Sequence, residues 1–372
     1  MRGGRAIVGL VVVAVVGASS LVAYPATVTP DKAEKLAKKF VEEKMRLPSG
    51  GILTNGKVRR LLLFPTFDPA DLQASGVLSE TAGLAMQYAV AADDRALFDG
   101  QLEFARHKLT GPYGLFYWKI SHDAEMAASS SACIDDLRII GAALAAADKW
   151  RQPTYAAFAV DIADNVRKYT VVDHVLRDFL NWRDYGEPVK ADTLQLSYIE
   201  TAVLRALAKR DADWQPILQR SGDVLLKGRR PSGLFFEQYD FAAGQYQGER
   251  QNMINQLYCA LFAAEIEKDE HPFAGWLRRR FAADGVLYAQ YDSQSGEPTG
   301  MFESTSVYAL ASRYAYRIGD ATMGDALIKK LLEFQNLNPL SPMYGSFSDD
   351  EVYSFDNLEA LIALRSYNER RR

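Results

Sequence analysis

Cysteine is almost absent from this chain: two residues in 372, Cys133 and Cys259, far apart and with no CxxC pair. That spacing excludes the usual structural zinc site. Histidine is nearly as scarce, and His107, His122, His174 and His271 show no HExxH spacing, so a histidine-based hydrolytic metal centre is not expected. There is no GxSxG elbow, no phosphate-binding GxxxxGK[ST] loop and no GxGxxG fingerprint, which removes three common catalytic scaffolds. No dense Lys/Arg block precedes the short Arg370–Arg372 tail, and the formal net charge is -4. A nucleic-acid partner is therefore not expected, and a neutral or cationic ligand suits the charge better than a polyanion. No Gly/Pro/Ser-rich linker divides the chain, so residues 26–372 read as one domain.

The N-terminus differs from the rest. Arg2 and Arg5 precede an uncharged stretch from Ala6 to Pro30, apolar over Ala6–Ala23. This is a basic region followed by an apolar one, as in an export signal. Val16-Gly17-Ala18 and Ala23 offer small-residue cleavage sites, while the run is also nearly long enough to span a bilayer. Residues 1–25 thus read as a signal peptide or a membrane anchor. Either places the body outside the cytoplasm, secreted or held at the outer face of the cytoplasmic membrane. No cysteine lies near the end of the run, so a lipid anchor is not expected.

Helical patterning dominates the rest of the chain. Apolar residues recur at three- and four-residue spacing near 31–46, 78–92, 94–109, 131–150, 153–169, 193–208, 212–227, 249–267, 269–283, 302–317, 320–335 and 356–368, about twelve helices. Aromatic, Gly-containing stretches recur between them: YGLFYWKIS at 113–121, FLNWRDYG at 179–186, GLFFEQYDF at 233–241, GVLYAQYDS at 285–293 and YGSF at 344–347. Their period of about 55–60 residues suits two helices plus a β-like loop. A helix pair cannot bury its apolar face alone, so six pairs closing into an all-α (α/α)6 toroid is the expected architecture, with an open solenoid as the competitor. Alternation in Leu115-Phe116-Tyr117-Trp118 suggests short hairpins lining a cleft at one end.

Two segments carry the chemical signal. Ser79-Glu80-Thr81-Ala82-Gly83-Leu84-Ala85-Met86, with Leu97-Phe98-Asp99 beyond it, resembles the segment bearing the general acid in glycoside hydrolase family 8. There a Ser-Glu dipeptide opens a helix, with Gly three residues after the Glu and Met three later. SSACIDDLRIIGAALAAADKW at 130–150 is similar to the same family's second signature, with Ala132, Asp136, Ile139, Ala142, Ala146 and Trp150 at matching positions. Ile134 stands where that signature has its first Asp, and Asp135 comes one residue later. A third patch, Tyr239-Asp240, resembles the Tyr-Asp dipeptide that carries the family's general base, although Tyr291-Asp292 repeats it and Asp184 is another loop candidate.

The resemblance implies an extracytoplasmic endo-hydrolase of a β-linked polysaccharide, such as an exopolysaccharide, working by inversion with Glu80 as acid and Asp240 as base. Such chemistry needs one carboxylic acid and one carboxylate about 6.5–9.5 Å apart, and neither metal nor organic cofactor. Asp135, Asp136, Arg138, Tyr117, Trp118, Tyr185 and Tyr239 are the expected sugar contacts. The implied partners are a polysaccharide and a membrane polysaccharide synthase complex. Plainer readings stand beside these. Glu80 suits the first turn of any helix, Asp135 and Asp136 suit helix capping after Ser129–Ser131, and Asp240 suits a turn. The missing Asp at Ile134 also leaves open a non-catalytic glycan-binding protein on the same fold.

Overall fold

A computed structural model describes residues 28–61, 64–68, 76–182, 187–248, 250–267, 272–348 and 351–372. The N-terminal segment, Asp184 and Tyr185 lie outside the described residues. Twelve α-helices stand among them. The odd-numbered members are Pro30–Phe40 (α1), Arg95–Phe104 (α3), Pro153–Thr170 (α5), Trp214–Lys227 (α7), Pro272–Asp284 (α9) and Ala321–Leu332 (α11). The even-numbered members are Ser79–Ala92 (α2), Cys133–Trp150 (α4), Thr201–Ala208 (α6), Met253–Ile266 (α8), Thr305–Arg317 (α10) and Ser354–Arg370 (α12).

The even helices pack in chain order, and α12 returns to α2, so the inner ring is closed. The expected (α/α)6 toroid is present and the open solenoid is not. The odd helices α1, α3, α5, α7 and α11 pack outside, on α12, α2, α4, α6 and α10 respectively. Helix composition reflects this placement. In α2 nine of fourteen residues are buried, and α4 buries residues on every face, as a helix inside a ring must. The outer α1 is amphipathic, opened by Thr29, which accepts from Lys32 N–H, and by Pro30, where a missing N–H costs nothing. No helix among the described residues is long and apolar enough to cross a membrane.

Each outer helix leads through a tight turn into the loop preceding the next inner helix. The turn closes by antiparallel pairing of Arg46 with Ile52, Thr110 with Phe116, Val171 with Leu176 and Arg229 with Phe235. Left-handed residues sit in the turns: Gly50, Gly114, Gly233, Gly285 and Gly345, but Asp173 and His174 in the third. At the equivalent position the N–H of Phe116, Leu176, Phe235, Leu287 or Phe347 is accepted by a side chain from a later helix. The acceptors are Asp136 (2.9 Å), Ser221 (3.1 Å), Gln256 (2.7 Å), Tyr308 (3.0 Å) and Asn357 (2.9 Å). A buried N–H needs such a partner, so one pin recurs in five of the six repeats.

Three local expectations are corrected. FLNWRDYG is not the third repeat turn; that turn is Val171–Leu176, which contains no aromatic residue and no glycine. The segment 193–200 is not α-helical: Thr193–Gln195 pairs with Gln238–Asp240, Leu196–Tyr198 makes a single 3-10 turn, and α6 begins only at Thr201. Leu115–Trp118 is not an alternating strand: Leu115 and Phe116 are both buried, and the strand is Lys119–Ser121, paired with Gly76–Leu78.

Candidate active site

The inner helices all begin at one end of the ring, where the short strands also lie. A cavity of about 410 Å³ opens there. The Gly76–Leu78 strand runs straight into α2, and Ser79 N–H bonds to Trp118 O at 3.2 Å. This brings the first turn of α2 and the Trp118 loop to the same cavity. Glu80, Asp135, Asp178, Gln195 and Tyr198 supply polar groups to its wall, and Trp118 and Phe179 supply rings that are 41% and 36% exposed.

Glu80 is the chemically distinctive member. Burial pushes its carboxyl up to about 7, against the opposing pull of Arg138, and the nearby Asp135 and Glu359 carboxylates push the same way. The carboxyl therefore holds a proton over much of the neutral range, as a general acid requires. Arg138 Nη1 lies 3.3 Å from Glu80 Oε2 and 3.0 Å from Asp135 Oδ1. Asp135 also accepts from Ser79 Oγ at 2.9 Å. Burial pushes Asp135 up as well, opposed by Arg138 and by the Ser79 and Glu80 donors. Sharing one nitrogen at 3.3 and 3.0 Å bounds the two carboxylate oxygens to within about 6.3 Å. Both Asp135 oxygens are engaged, by Ser79 and by Arg138, on the Glu80 side of the cavity, which does not set Asp135 across an attacking water from Glu80 as an inverting base must lie.

The profile of glycosyl hydrolases family 8 matches residues 52–254, more than half of the chain. The chain belongs to glycosyl hydrolase family 8. It is a glycoside hydrolase by that membership. A structure described as a novel alpha-amylase from Clostridium perfringens shares 30% identity, covers 90% of this chain and 97% of its own, and superposes with a TM-score of 0.80. The family 8 endoglucanase Cel10 from Klebsiella pneumoniae, at 20% identity, covers 90% and 99% with a TM-score of 0.64, which shows the shared fold. The protein YdaJ of Bacillus subtilis strain 168, named as a candidate lipoprotein, is 29% identical over 296 residues, 78% of this chain and 80% of its own.

The family 8 signatures map unevenly onto this cavity. Gly83 has a packing reason: a Cβ there would lie 2.9 Å from Arg138 Cβ, so α2 and α4 meet closely only because position 83 is bare. Ile134 is buried, and the carboxylate facing the cavity is Asp135, one residue later. Asp136 does not reach the cavity; it is fully buried and pins the Phe116 turn, with burial pushing its carboxyl well up. Arg138 is only 4% exposed and acts on the site through Glu80 and Asp135 rather than by lining it. Trp118 lines the cavity, whereas Tyr117 packs edge-on against Trp182 at 5.6 Å.

Asp240 sits in a strand beside the cavity, not in its wall. Its carboxylate accepts from Ala243 N–H and Gln247 Nε2, both at 2.8 Å. Gln238 and Asp240 share a strand face, and Gln238 pairs with the cavity-lining Gln195, so Asp240 looks toward the same side. Tyr239 takes the opposite face, packed on Phe241 and Tyr246 at 4.9 and 4.8 Å, and does not reach the cavity. Asp292 caps its own turn by accepting from Gln294 and Ser295. Asn252 caps α8, and Gln256 pins Phe235. Cys133 and Cys259 are buried free thiols.

Sequence reasoning passed over Asp178, Phe179, Gln195 and Tyr198 in the cavity wall. Asp178 accepts from Thr193 Oγ1 at 2.6 Å and Gln195 N–H at 2.5 Å, and burial pushes it up. A Tyr-Asp dipeptide is the sequence mark of the family's base, and Arg177-Asp178-Phe179 does not contain one.

Proposed function

We propose that this family 8 hydrolase cuts a polysaccharide within its chain, outside the cytoplasm, with Glu80 protonating the glycosidic oxygen. The observation that carries the reading is Glu80 itself: a carboxyl pushed up to about 7, in the wall of an open cavity beside Trp118. Protonation of the leaving oxygen needs an acid that keeps its proton near neutrality and a sugar held against it. The rings of Trp118 and Phe179 offer flat apolar faces for that. Asp240 is the proposed water-activating carboxylate, with inversion as the outcome, since both Asp135 oxygens are engaged by Ser79 and Arg138. A β-linked exopolysaccharide is the proposed substrate, and a membrane polysaccharide synthase complex the proposed source of it.

An α-linked glucan is the second reading of the substrate. It is favoured by the higher identity to the structure described as an alpha-amylase, 30% against 20% for the endoglucanase Cel10. The apolar N-terminal segment and the relative named as a candidate lipoprotein both support a place outside the cytoplasm.

The test is reducing-end release from a panel of β-glucans, exopolysaccharides and α-glucans, with wild type, Glu80→Gln, Asp240→Asn and Asp178→Asn. Glu80→Gln is expected to abolish release while binding persists. Persistent cleavage by Glu80→Gln sinks the acid role. Loss in Asp178→Asn with activity kept in Asp240→Asn transfers the base to Asp178. Binding by wild type without release from any polymer sinks the proposed polysaccharide cleavage.

A further inference from the structure

Behind the cavity wall, ionisable side chains from all round the inner ring converge in the barrel interior. Glu80 comes from α2, Asp135 and Arg138 from α4, Glu200 precedes α6, Tyr258 comes from α8, Arg313 from α10 and Glu359 from α12. The contacts cross the interior rather than tracking the ring. The Arg138 guanidinium lies 4.9 Å from the Tyr258 ring centroid, although α4 and α8 are not neighbours. Tyr258 OH donates to Glu359, again skipping one helix, and Arg313 pairs with the same carboxylate. Glu359 is fully buried, and Glu200 Oε2 is buried without a hydrogen-bond partner.

The charge count is uneven. Two guanidinium groups face four carboxyl groups. Burial penalises uncompensated charge, so two of the four are expected to hold protons. Donors decide which two. Asp135 has Ser79 Oγ and Arg138, and Glu359 has Tyr258 OH and Arg313. Glu80 has one 3.3 Å contact to a guanidinium already engaged elsewhere, and Glu200 has an oxygen with none.

We propose that Glu359 is a positioning residue for this hydrolase: with Arg313 and Tyr258 it holds Arg138 against Glu80 from across the ring, although it is no part of the cavity wall. This rests on Glu80 being the acid. The charges bearing on Glu80 are Arg138 and Asp135 from α4 and Glu359 from α12. Glu200 is likewise pushed up to about 7 by burial, against the pull of Arg138 and Arg313. A network that spans the ring also explains why a charge interrupts an otherwise apolar stripe, as Glu359 does within Leu358-Glu359-Ala360-Leu361.

The experiment tracks the Glu80 carboxyl directly. Protein labelled with carboxyl-13C glutamate is titrated by NMR, the Glu80 signal being the one lost in Glu80→Gln. In Glu359→Gln, removal of an anion is expected to lower the Glu80 midpoint by about one pH unit, whereas Glu200→Gln, which replaces a protonated carboxyl by a neutral isostere, should leave it in place. The alkaline limb of kcat/KM should move down with the midpoint in Glu359→Gln. An unmoved midpoint in Glu359→Gln overturns the proposal. Should Glu359→Gln fail to fold, Tyr258→Phe decides, because it takes one donor from Glu359 while keeping the ring beside Arg138; a Glu80 midpoint unmoved there overturns the proposal. A midpoint that falls while the alkaline limb stays put upholds the network and removes Glu80 as the acid, so the two failures are distinguishable.

Discussion

Asp136 Oδ1 accepts the backbone N–H of Phe116 at 2.9 Å. Gln256 and Asn357 do the same for Phe235 and Phe347 with neutral amides, and Asp136 Oδ2 has no partner. The pin therefore needs an acceptor, not a charge. Asp136→Asn is expected to keep wild-type kcat/KM and equal or greater stability. Asp136→Ala should lose about 1–3 kcal/mol in a urea melt, the cost of an unpaired buried N–H. An Asn variant as inactive as the Ala variant would mean that sugar needs the carboxylate.

Gly83→Ala tests the close approach of α2 and α4. Its new methyl meets Arg138 Cβ at 2.9 Å, so the helices must part or Arg138 must shift. Overpacking of this kind costs about 1–3 kcal/mol. The distinctive expectation is a fall in kcat larger than the change in KM, because Arg138 is moved relative to Glu80 while Trp118 stays. Steady-state kinetics on the folded variant check it.

The Glu80 carboxyl also predicts a stability profile. Its folded value, about 7, lies above the ordinary 4.5 of a glutamate. Between those values the native state binds the proton and the unfolded chain does not, so stability falls as pH rises through this window. Glu80→Gln removes the penalty, about 3 kcal/mol. Its Tm should match wild type near pH 4 and exceed it above pH 7. A constant Tm difference from pH 4 to 8 contradicts the shift.

Trp118 and Tyr117 should separate cleanly. Trp118 is 41% exposed in the cavity wall, and Tyr117 is packed on Trp182. Trp118→Ala should raise KM about three- to tenfold with little change in Tm, while Tyr117→Ala should lower Tm and leave KM nearly unchanged. The reverse pattern would place the sugar on the other ring.

Much of the ring was legible because periodicity reports burial. α2 and α4 begin within one or two residues of the expected positions, since their N-terminal signals are local. What was missed depends on partners distant in sequence. Thr193–Gln195 reads as helix until Gln238–Asp240 and Asp178 claim its backbone. The first repeat turn, Arg46–Ile52, went unnoticed because Leu47-Pro48-Ser49-Gly50-Gly51 lacks the aromatic residues that marked the others. Glu80 was legible through its signature; Glu200 and Glu359 were not, because a lone acid in an apolar run means nothing until the opposing arginine is seen. Asp136 matched its signature position, and there it serves as the acceptor of the Phe116 N–H, a role that only the repeated pin reveals.

The ring closes where Thr81 Oγ1 meets Ser354 Oγ at 3.1 Å, across 273 positions of sequence. A growing chain adds roughly 5–20 residues per second, so tens of seconds separate the appearance of Glu80 from that of the helix that completes its surroundings. Throughout that interval the Glu80 carboxyl stands without Glu359. The surroundings proposed to hold its proton are thereby acquired in time, and the last helix to be made acts as their clock.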